Sequence, residues 1–340
     1  VLAAQRESRM ADRIRMSDVA REAHVSLMTV SRVVNEKGEI SPETRQRVLK
    51  VIERLGYRPS AIARGLATSR TGTLGLVVPD IANPFFSEIA RGVEDNAYTS
   101  GYNVFLCSTY EDPLREKDVL NSLEEKQVDG LVLCSSRLAD GDLLAVVDEF
   151  PAVVLVNRSV DGKDVRAVRV DSELGGRIAT EFLLDAGHRA VGFLTGPPTS
   201  FDGCLRVRGY HHALQAADVS TQPAWEQGCS SNVQAGLEAA CEFLPDHPEL
   251  TALICYNDLV AVGALQACAQ LGRRVPDDLA IIGFDDIPMA ALVTPALTTC
   301  QSAQFEIGVQ AMDLLLECIN GCTEERKDAL VRPELVVRAS

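Results

Sequence analysis

The chain has 340 residues, of which 46% are apolar, enough for a large core and more than one domain. Its formal net charge of −15 argues against nonspecific nucleic-acid binding by the molecule as a whole. Apolar runs such as LGLVV and AVVLVN are too short to cross a bilayer, and the opening VLAAQRESRM is not of the secretory type.

The charge is unevenly spread. Residues 1–70 hold 14 Lys/Arg against 8 Asp/Glu, whereas residues 71–340 hold 19 against 40. A basic module on an acidic body removes the objection to DNA binding, because phosphate attraction is local and screened beyond about 10 Å. Within the basic part, MSDVAREAHVSLMTVSRVVNE reads as two short helices joined by a tight turn. Ser17 is the expected cap of the first, with Asp18 in its first turn and Val19, Ala20 and Ala23 facing inward. Ser26 is the expected cap of the second, with Val30 and Val33 or Val34 inward. A third helix follows in SPETRQRVLKVIERLGYRP: Ser41 caps it, Pro42 suits the first helical position, Val48, Val51, Ile52 and Leu55 form its apolar face, and Gly56 ends it.

A three-helix unit of this kind need not bind DNA, but the second helix carries an unusual surface. Leu27, Met28 and Thr29 open it, and Ser31, Arg32 and Asn35 cannot all be core. Arg and Asn make directional contacts to base edges in the major groove, and Leu or Met meets a thymine methyl. Arg45, Arg47, Lys50 and Arg54 supply phosphate-side charge or ordinary solvation.

From residue 72 the pattern changes to strand–helix alternation. TLGLVVPD, YNVFLCS, DGLVLCS and PAVVLVN read as buried strands, and AVGFLTG, TALICYN and LAIIGFDD form a second series. Crossover helices such as SEIARGVEDNAYTSGY, REKDVLNSLEEKQVDG, SELGGRIATEFLLDAGH and LVAVGALQACAQLG separate them. Continuous apolar strands with such crossovers indicate parallel sheets covered on both faces, and two series indicate two lobes with a ligand cleft at the strand ends. No GxGxxG follows the first strand, and GxxxxGK[ST] and GxSxG are absent. Asp258 and the GFDD at 283–286 lack a mated acid, base or metal, so no enzyme is expected. The ten cysteines scatter without a CxxC pair. Cys318 and Cys322 lie four apart with no third ligand nearby, so neither a metal nor a cofactor is expected and the thiols are read as reduced.

DVAREAHVSLMTVSRVVN, GYRPSAIARGL and the body segments NPFFSEIARGVEDNAYTSGY, LRVRGYHHAL, ICYNDLVAVGALQA and TPALTT together resemble the LacI/GalR family of bacterial transcription regulators. The resemblance spans roughly residues 15–336. It implies a small all-α helix-turn-helix head with a hinge helix, joined to an α/β two-lobed body like the periplasmic binding proteins, with parallel sheets. The implied divisions are 1–58 for the head, 59–71 for the hinge helix and linker, and 72–340 for the body. Its lobes would take about 72–170 plus 300–329, and about 171–299 plus 330–340. The implied DNA-facing residues are Ser26, Leu27, Met28, Thr29, Ser31, Arg32 and Asn35. Ala63 and Leu66 would act from the hinge helix in the minor groove, where an apolar wedge bends DNA by partly unstacking it. Two positions depart from the family pattern: His24 stands where glycine is usual in the tight turn, and Ser60 where asparagine is commoner.

In the body, the resemblance implies an effector site formed by Asp80, Asn83, Phe85, Asn157, Arg206, Asn257 and Asp285, with Phe86 packing in the core instead. Such a set suits a polyol, sugar or sugar acid: directional hydroxyl hydrogen bonds beside an aromatic face. Relatives often place an aromatic shortly before the glycine matching Gly236. This chain has Cys229, Ser230 and Ser231 there, with Trp225 too far upstream, which favours a small, acyclic or phosphorylated ligand. The expected protein is a cytoplasmic homodimer on double-stranded palindromic operator DNA, without membrane association. A sugar or sugar acid would control its affinity, most simply as a repressor. An effector-dependent activator and a solute-binding or sensory protein are the alternatives. The ending VRPELVVRAS lacks the heptad tail of a tetrameric relative, which favours the dimer.

Overall fold

The computed structural model describes residues 14–35, 38–57, 70–162, 165–321 and 328–340. They divide into two compact units, residues 1–71 and 72–340.

The first unit holds helices Met16–Glu22, Leu27–Val34 and Pro42–Leu55. Ser26 and Ser41 cap the second and third, accepting the backbone N–H of Thr29 at 3.1 Å and of Thr44 at 3.3 Å. Gly56 ends the third helix in the left-handed conformation, with φ 65°. The first helix corrects the expectation for Ser17. It begins at Met16 with Arg15 as N-cap, and Asp18, at the third helical position, accepts the Arg15 N–H at 2.9 Å. The acid thus closes the helix start, and Ser17 lies inside the first turn. His24 adopts φ 52° in the turn between the first two helices, the backbone conformation that glycine takes most easily. Val19, Ala20, Ala23, Val30, Val33, Val48, Val51 and Tyr57 form one shared core.

The second unit contains two six-stranded sheets among the described residues. The first lobe holds β1 Thr73–Val78, β2 Asn103–Ser108, β3 Gly130–Cys134, β4 Val153–Val156, β5 Arg166–Val170 and β11 Ala329–Val331, in the order β11-β5-β4-β3-β1-β2. The second holds β6 Val191–Leu194, β7 Glu226–Gln227, β8 Ala252–Cys255, β9 Ala280–Asp285, β10 Thr298–Gln301 and β12 Glu334–Val336, in the order β12-β10-β9-β8-β6-β7. Strand pairing is parallel except between β10 and β12. The chain passes between lobes after β5, after β10 and between β11 and β12. The return to the first lobe therefore follows residue 301 rather than 299, and the last crossing follows residue 331.

Each sheet is covered on both faces, which explains the unbroken apolar runs. In the first lobe, helices Pro84–Thr99 and Gln304–Ile319 contribute to one core. Helices Pro113–Glu125 and Asp140–Glu149 contribute to the other. In the second lobe, helices Val233–Asp246 and Asp258–Leu271 occupy one side, and helices Ser172–Asp185 and Phe201–Ala216 the other. β2 departs from the expected burial. It is an edge strand, and Phe105 and Leu106 are exposed.

Candidate functional site

In the head, the residues expected to read DNA separate from those that hold the fold. Leu27 and Met28 are 53% and 63% exposed, while Val30, on the same helix, is fully buried. Arg32 is also exposed, and Thr29, Ser31 and Asn35 are half-buried. Asn35 Nδ2 donates to Ser31 Oγ at 3.3 Å, and the Ser26 and Thr29 hydroxyls lie 2.9 Å apart. These two contacts order the polar face. Two of the basic residues in the third helix are engaged inside the head: Arg47 Nε donates to the Ala23 carbonyl at 3.1 Å, and Arg54 pairs with Glu22 at 2.7 Å. Ala63 and Leu66 lie outside the described residues.

In the body, Asn83, Phe85, Asn157, Arg206, Asn257 and Asp285 line one small cleft together with Phe86, Glu111, Ser135, Asp202, Ser231 and Tyr256. Residues 83–157 of this set belong to the first lobe and residues 202–285 to the second. Asp80 is the exception among the expected pocket residues. Its carboxylate accepts the Ala82 N–H at 2.9 Å, and the side chain serves the turn before helix Pro84–Thr99 instead of lining the cleft. The enclosed space is about 20 Å³, so the lobes are nearly closed on each other here. That leaves room for about one water molecule.

The cleft side chains come from the ends of strands, where the backbone must turn sharply. Tyr110 and Glu111 after β2, Ser135 after β3, Asn157 after β4, and Asp285 and Asp286 at the end of β9 all have positive φ. Non-glycine residues rarely adopt that conformation, and its concentration around one cleft is characteristic of a functional site. Asn157 spends its side-chain carbonyl on the Val170 N–H at 3.0 Å, which leaves its NH₂ for a ligand. Asn257 caps helix Asp258–Leu271 through the Val260 N–H at 2.9 Å. Its neighbour Asp258 is not a pocket group: it accepts from the Thr299 hydroxyl at 2.5 Å and the Ile287 N–H at 2.9 Å.

Arg206 is positioned from behind by close helix packing. A side chain at Gly176 would place its Cβ 2.1 Å from the Arg206 carbonyl oxygen, and one at Gly209 would lie 2.0 Å from the Glu173 carbonyl oxygen. The missing side chains let helices Ser172–Asp185 and Phe201–Ala216 approach closely. Arg206 then donates to the Tyr256 carbonyl, lies 3.6 Å from Asp285 and stacks 3.7 Å from the Phe284 ring centre. Burial pushes the Asp285 carboxyl up to about 7 and Asp202 up to about 6, against the lowering influence of Arg206 on both. Asp258 is also raised, by burial and then by the charge of Asp285.

Sequence reading missed Glu111, Ser135, Asp202, Ser231, Tyr256 and Arg137. Arg137 is buried and donates to Glu111 at 2.9 Å, and Ser231 donates to the same carboxylate oxygen at 2.8 Å. Burial works against the Arg137 charge, but Tyr256 and Glu111 more than offset it and raise its pKa. Asp202 had a visible signal, since it lies one helical turn before Arg206; Arg137 and Glu111 lie in loops with no such cue. A wider groove of about 440 Å³ opens near the lobe crossover, lined in part by Arg158, Arg169 and Arg208. Its arginines pair with Asp140, Asp328 and Glu173 respectively, and the buried Arg169 Nε has no hydrogen-bond partner.

A helix-turn-helix unit with an exposed recognition face, followed by a two-lobed α/β body closing on a polar cleft, defines the class: a ligand-responsive DNA-binding regulator. The pattern for bacterial regulatory proteins of the lacI family matches residues 15–60. The pattern for periplasmic binding proteins and the sugar binding domain of the LacI family matches residues 71–338. The chain is 37% identical over 327 residues to the HTH-type transcriptional repressor PurR of Pasteurella multocida strain Pm70, covering 96% of this chain and 98% of that protein. Its fold is similar to that of the lac repressor dimer bound to operator and the anti-inducer ONPF, with TM-score 0.84 and 28% identity over 96% of this chain and 98% of that one. It is also similar to the transcriptional regulator CelR in complex with cellobiose, with TM-score 0.74 and 31% identity over 96% and 100%. The chain belongs to the LacI/GalR family of bacterial transcription regulators. It is a sequence-specific DNA-binding regulator that responds to an effector, and it is not an enzyme. Among the described residues, no helix is long and apolar enough to cross a membrane.

Proposed function

We propose that the protein is a cytoplasmic homodimeric repressor whose two heads read the halves of a palindromic operator and whose cleft binds a small sugar, sugar acid or related metabolite. The observation that carries the effector reading is the convergence of Asn83, Phe85, Asn157, Arg206, Asn257 and Asp285 on one inter-lobe cleft. These amides, charged groups and a ring suit hydroxyl recognition. The similar proteins whose descriptions name a repressor, an operator or cellobiose support the same assignment.

Ser26, Leu27, Met28, Thr29, Ser31, Arg32 and Asn35 are assigned to operator contact, and Ala63 and Leu66 to the hinge. The homodimer is assigned to the edge of the first lobe, where the exposed Phe105 and Leu106 of β2 accompany the exposed Tyr98, Tyr110 and Leu114. An apolar edge strand in this state favours a partner surface. A cleft as closed as this one must open to admit a sugar, and that movement would be transmitted to the linkers at the head. The test is selection of an operator by the purified full chain, followed by screening metabolites for a change in its affinity. Failure to select any DNA site would reject the proposal.

A further inference from the structure

The effector cleft has one wall that the family resemblance did not supply. Where an aromatic side chain was expected ahead of Gly236, Ser231 donates to Glu111, reaching from the second lobe to the first. Glu111 also receives Arg137, so this part of the cleft is a guanidinium–carboxylate pair tied to a hydroxyl. Tyr110 and Glu111 both adopt positive φ, at 55° and 61°, so the loop after β2 holds a strained conformation where it delivers this carboxylate.

The cleft repeats that arrangement. Arg137 with Glu111 comes from the first lobe, and Arg206 with Asp285 from the second. In both arginines the Nε–H is buried without a hydrogen-bond partner. Each pair sets donors beside acceptors, the complement of hydroxyl groups, which both donate and accept. The raised carboxyls of Asp202 and Asp285 add further groups able to exchange donor and acceptor roles near neutral pH.

A flat heteroaromatic ligand needs something different, namely apolar surface for both ring faces. Phe85 and Phe86 are the obvious candidates, but they pack edge-to-face on each other at 87°. Tyr256 has the Arg206 guanidinium 5.1 Å from its ring centre, and its hydroxyl lies 2.9 Å from that of Ser200. These contacts leave no pair of parallel apolar faces to hold a ring.

We propose that Glu111 and Ser231 are specificity-determining residues of the cleft, with Arg137 behind them holding the Glu111 carboxylate in place, and that the wall they form selects a compact polyhydroxylated ligand over a flat heteroaromatic one. The inference rests on the reading of this cleft as the effector site. Ligand entry breaks the Ser231–Glu111 contact, and ligand hydroxyls then take the freed carboxylate and the unpartnered Arg206 Nε–H.

The experiment is calorimetric titration of the full-length protein with D-ribose, D-glucose, D-gluconate and glycerol, and with hypoxanthine and adenine. A polyhydroxylated compound should bind at least about tenfold more tightly than either base. Arg137→Met should weaken that binding by about tenfold or more. Deoxy analogues of the bound compound supply the readout that a merely structural role would not move. In the unmodified protein, removing the hydroxyl that faces Glu111 lowers affinity; in Arg137→Met, where that carboxylate is no longer held in place, the same removal has no further effect. Ser231→Ala and Glu111→Gln repeat the test should Arg137→Met not fold. Tighter binding of a base, or a deoxy penalty of the same size in all three variants, overturns the inference while leaving the effector site in place, provided Arg206→Met still abolishes binding. Binding that survives Arg206→Met unchanged, or binding of none of the six compounds, overturns the effector-site reading and this inference with it.

Discussion

Met28→Ala and Val30→Ala, two residues apart on one helix, should have opposite consequences. Met28 is 63% exposed, so its truncation leaves the head core untouched and should change stability by no more than about 0.5 kcal/mol. Val30 is fully buried among Val19, Val33 and Val48, and losing two methyl groups there should cost about 1–3 kcal/mol. On DNA the order reverses. If Met28 meets a thymine methyl, the loss is about 1 kcal/mol per half-site, at the low end for a specific base contact. Two half-sites in a dimer then give about 2 kcal/mol, or roughly a thirtyfold weaker operator complex. Operator titration at fixed salt and chemical unfolding of the same preparations separate the two quantities. Equal loss of stability in both variants would refute the assignment of this helix face. So would an unchanged ranking of operator sequences in Met28→Ala.

Three other outcomes follow from the body. Gly176→Ala forces its Cβ against the Arg206 carbonyl oxygen, so effector affinity should fall by about tenfold, with at most about 1–3 kcal/mol lost in thermal unfolding; unaltered affinity would show that the helix packing does not position Arg206. Arg206→Met removes the cation beside Asp285 and should abolish the effector response in operator release while leaving the head's DNA selection intact. The raised pKa values of Asp285 and Asp202, about 7 and about 6, make native protonation stronger than in the unfolded chain. The resulting stability is fully present below about pH 4, where the unfolded carboxyls also hold their protons, and is lost as pH rises through about 6 to 7. Asp285→Asn, which cannot ionise, should flatten the fall in Tm across that interval; an unaltered slope would assign it to other groups.

Much of this molecule is written in local sequence signals. Ser26, Ser41, Pro42 and Gly56 mark helix ends by their own chemistry, and the structure uses all four as expected. Ser17 misled because Asp18 competes for the same helix start and prevails through the Arg15 N–H. The β2 segment has the apolar composition of a buried strand, but edge position is a property of sheet order, which composition does not encode. The same limit applies to the cleft. Arg206 and Asp285 sit within recognisable motifs, whereas Glu111, Arg137 and Ser231 come from three separate connections that only the folded chain brings together. Asp80 shows the converse, since a motif position next to the pocket is spent on its own turn.

The central claim is that cleft and head exchange free energy. The most direct measurement is a pair of titrations on the full-length protein: operator affinity with and without saturating effector, and effector affinity with and without operator. Reciprocal coupling requires the two ratios to be equal and different from one. Operator and effector that both bind, each indifferent to the other's presence, would contradict the account.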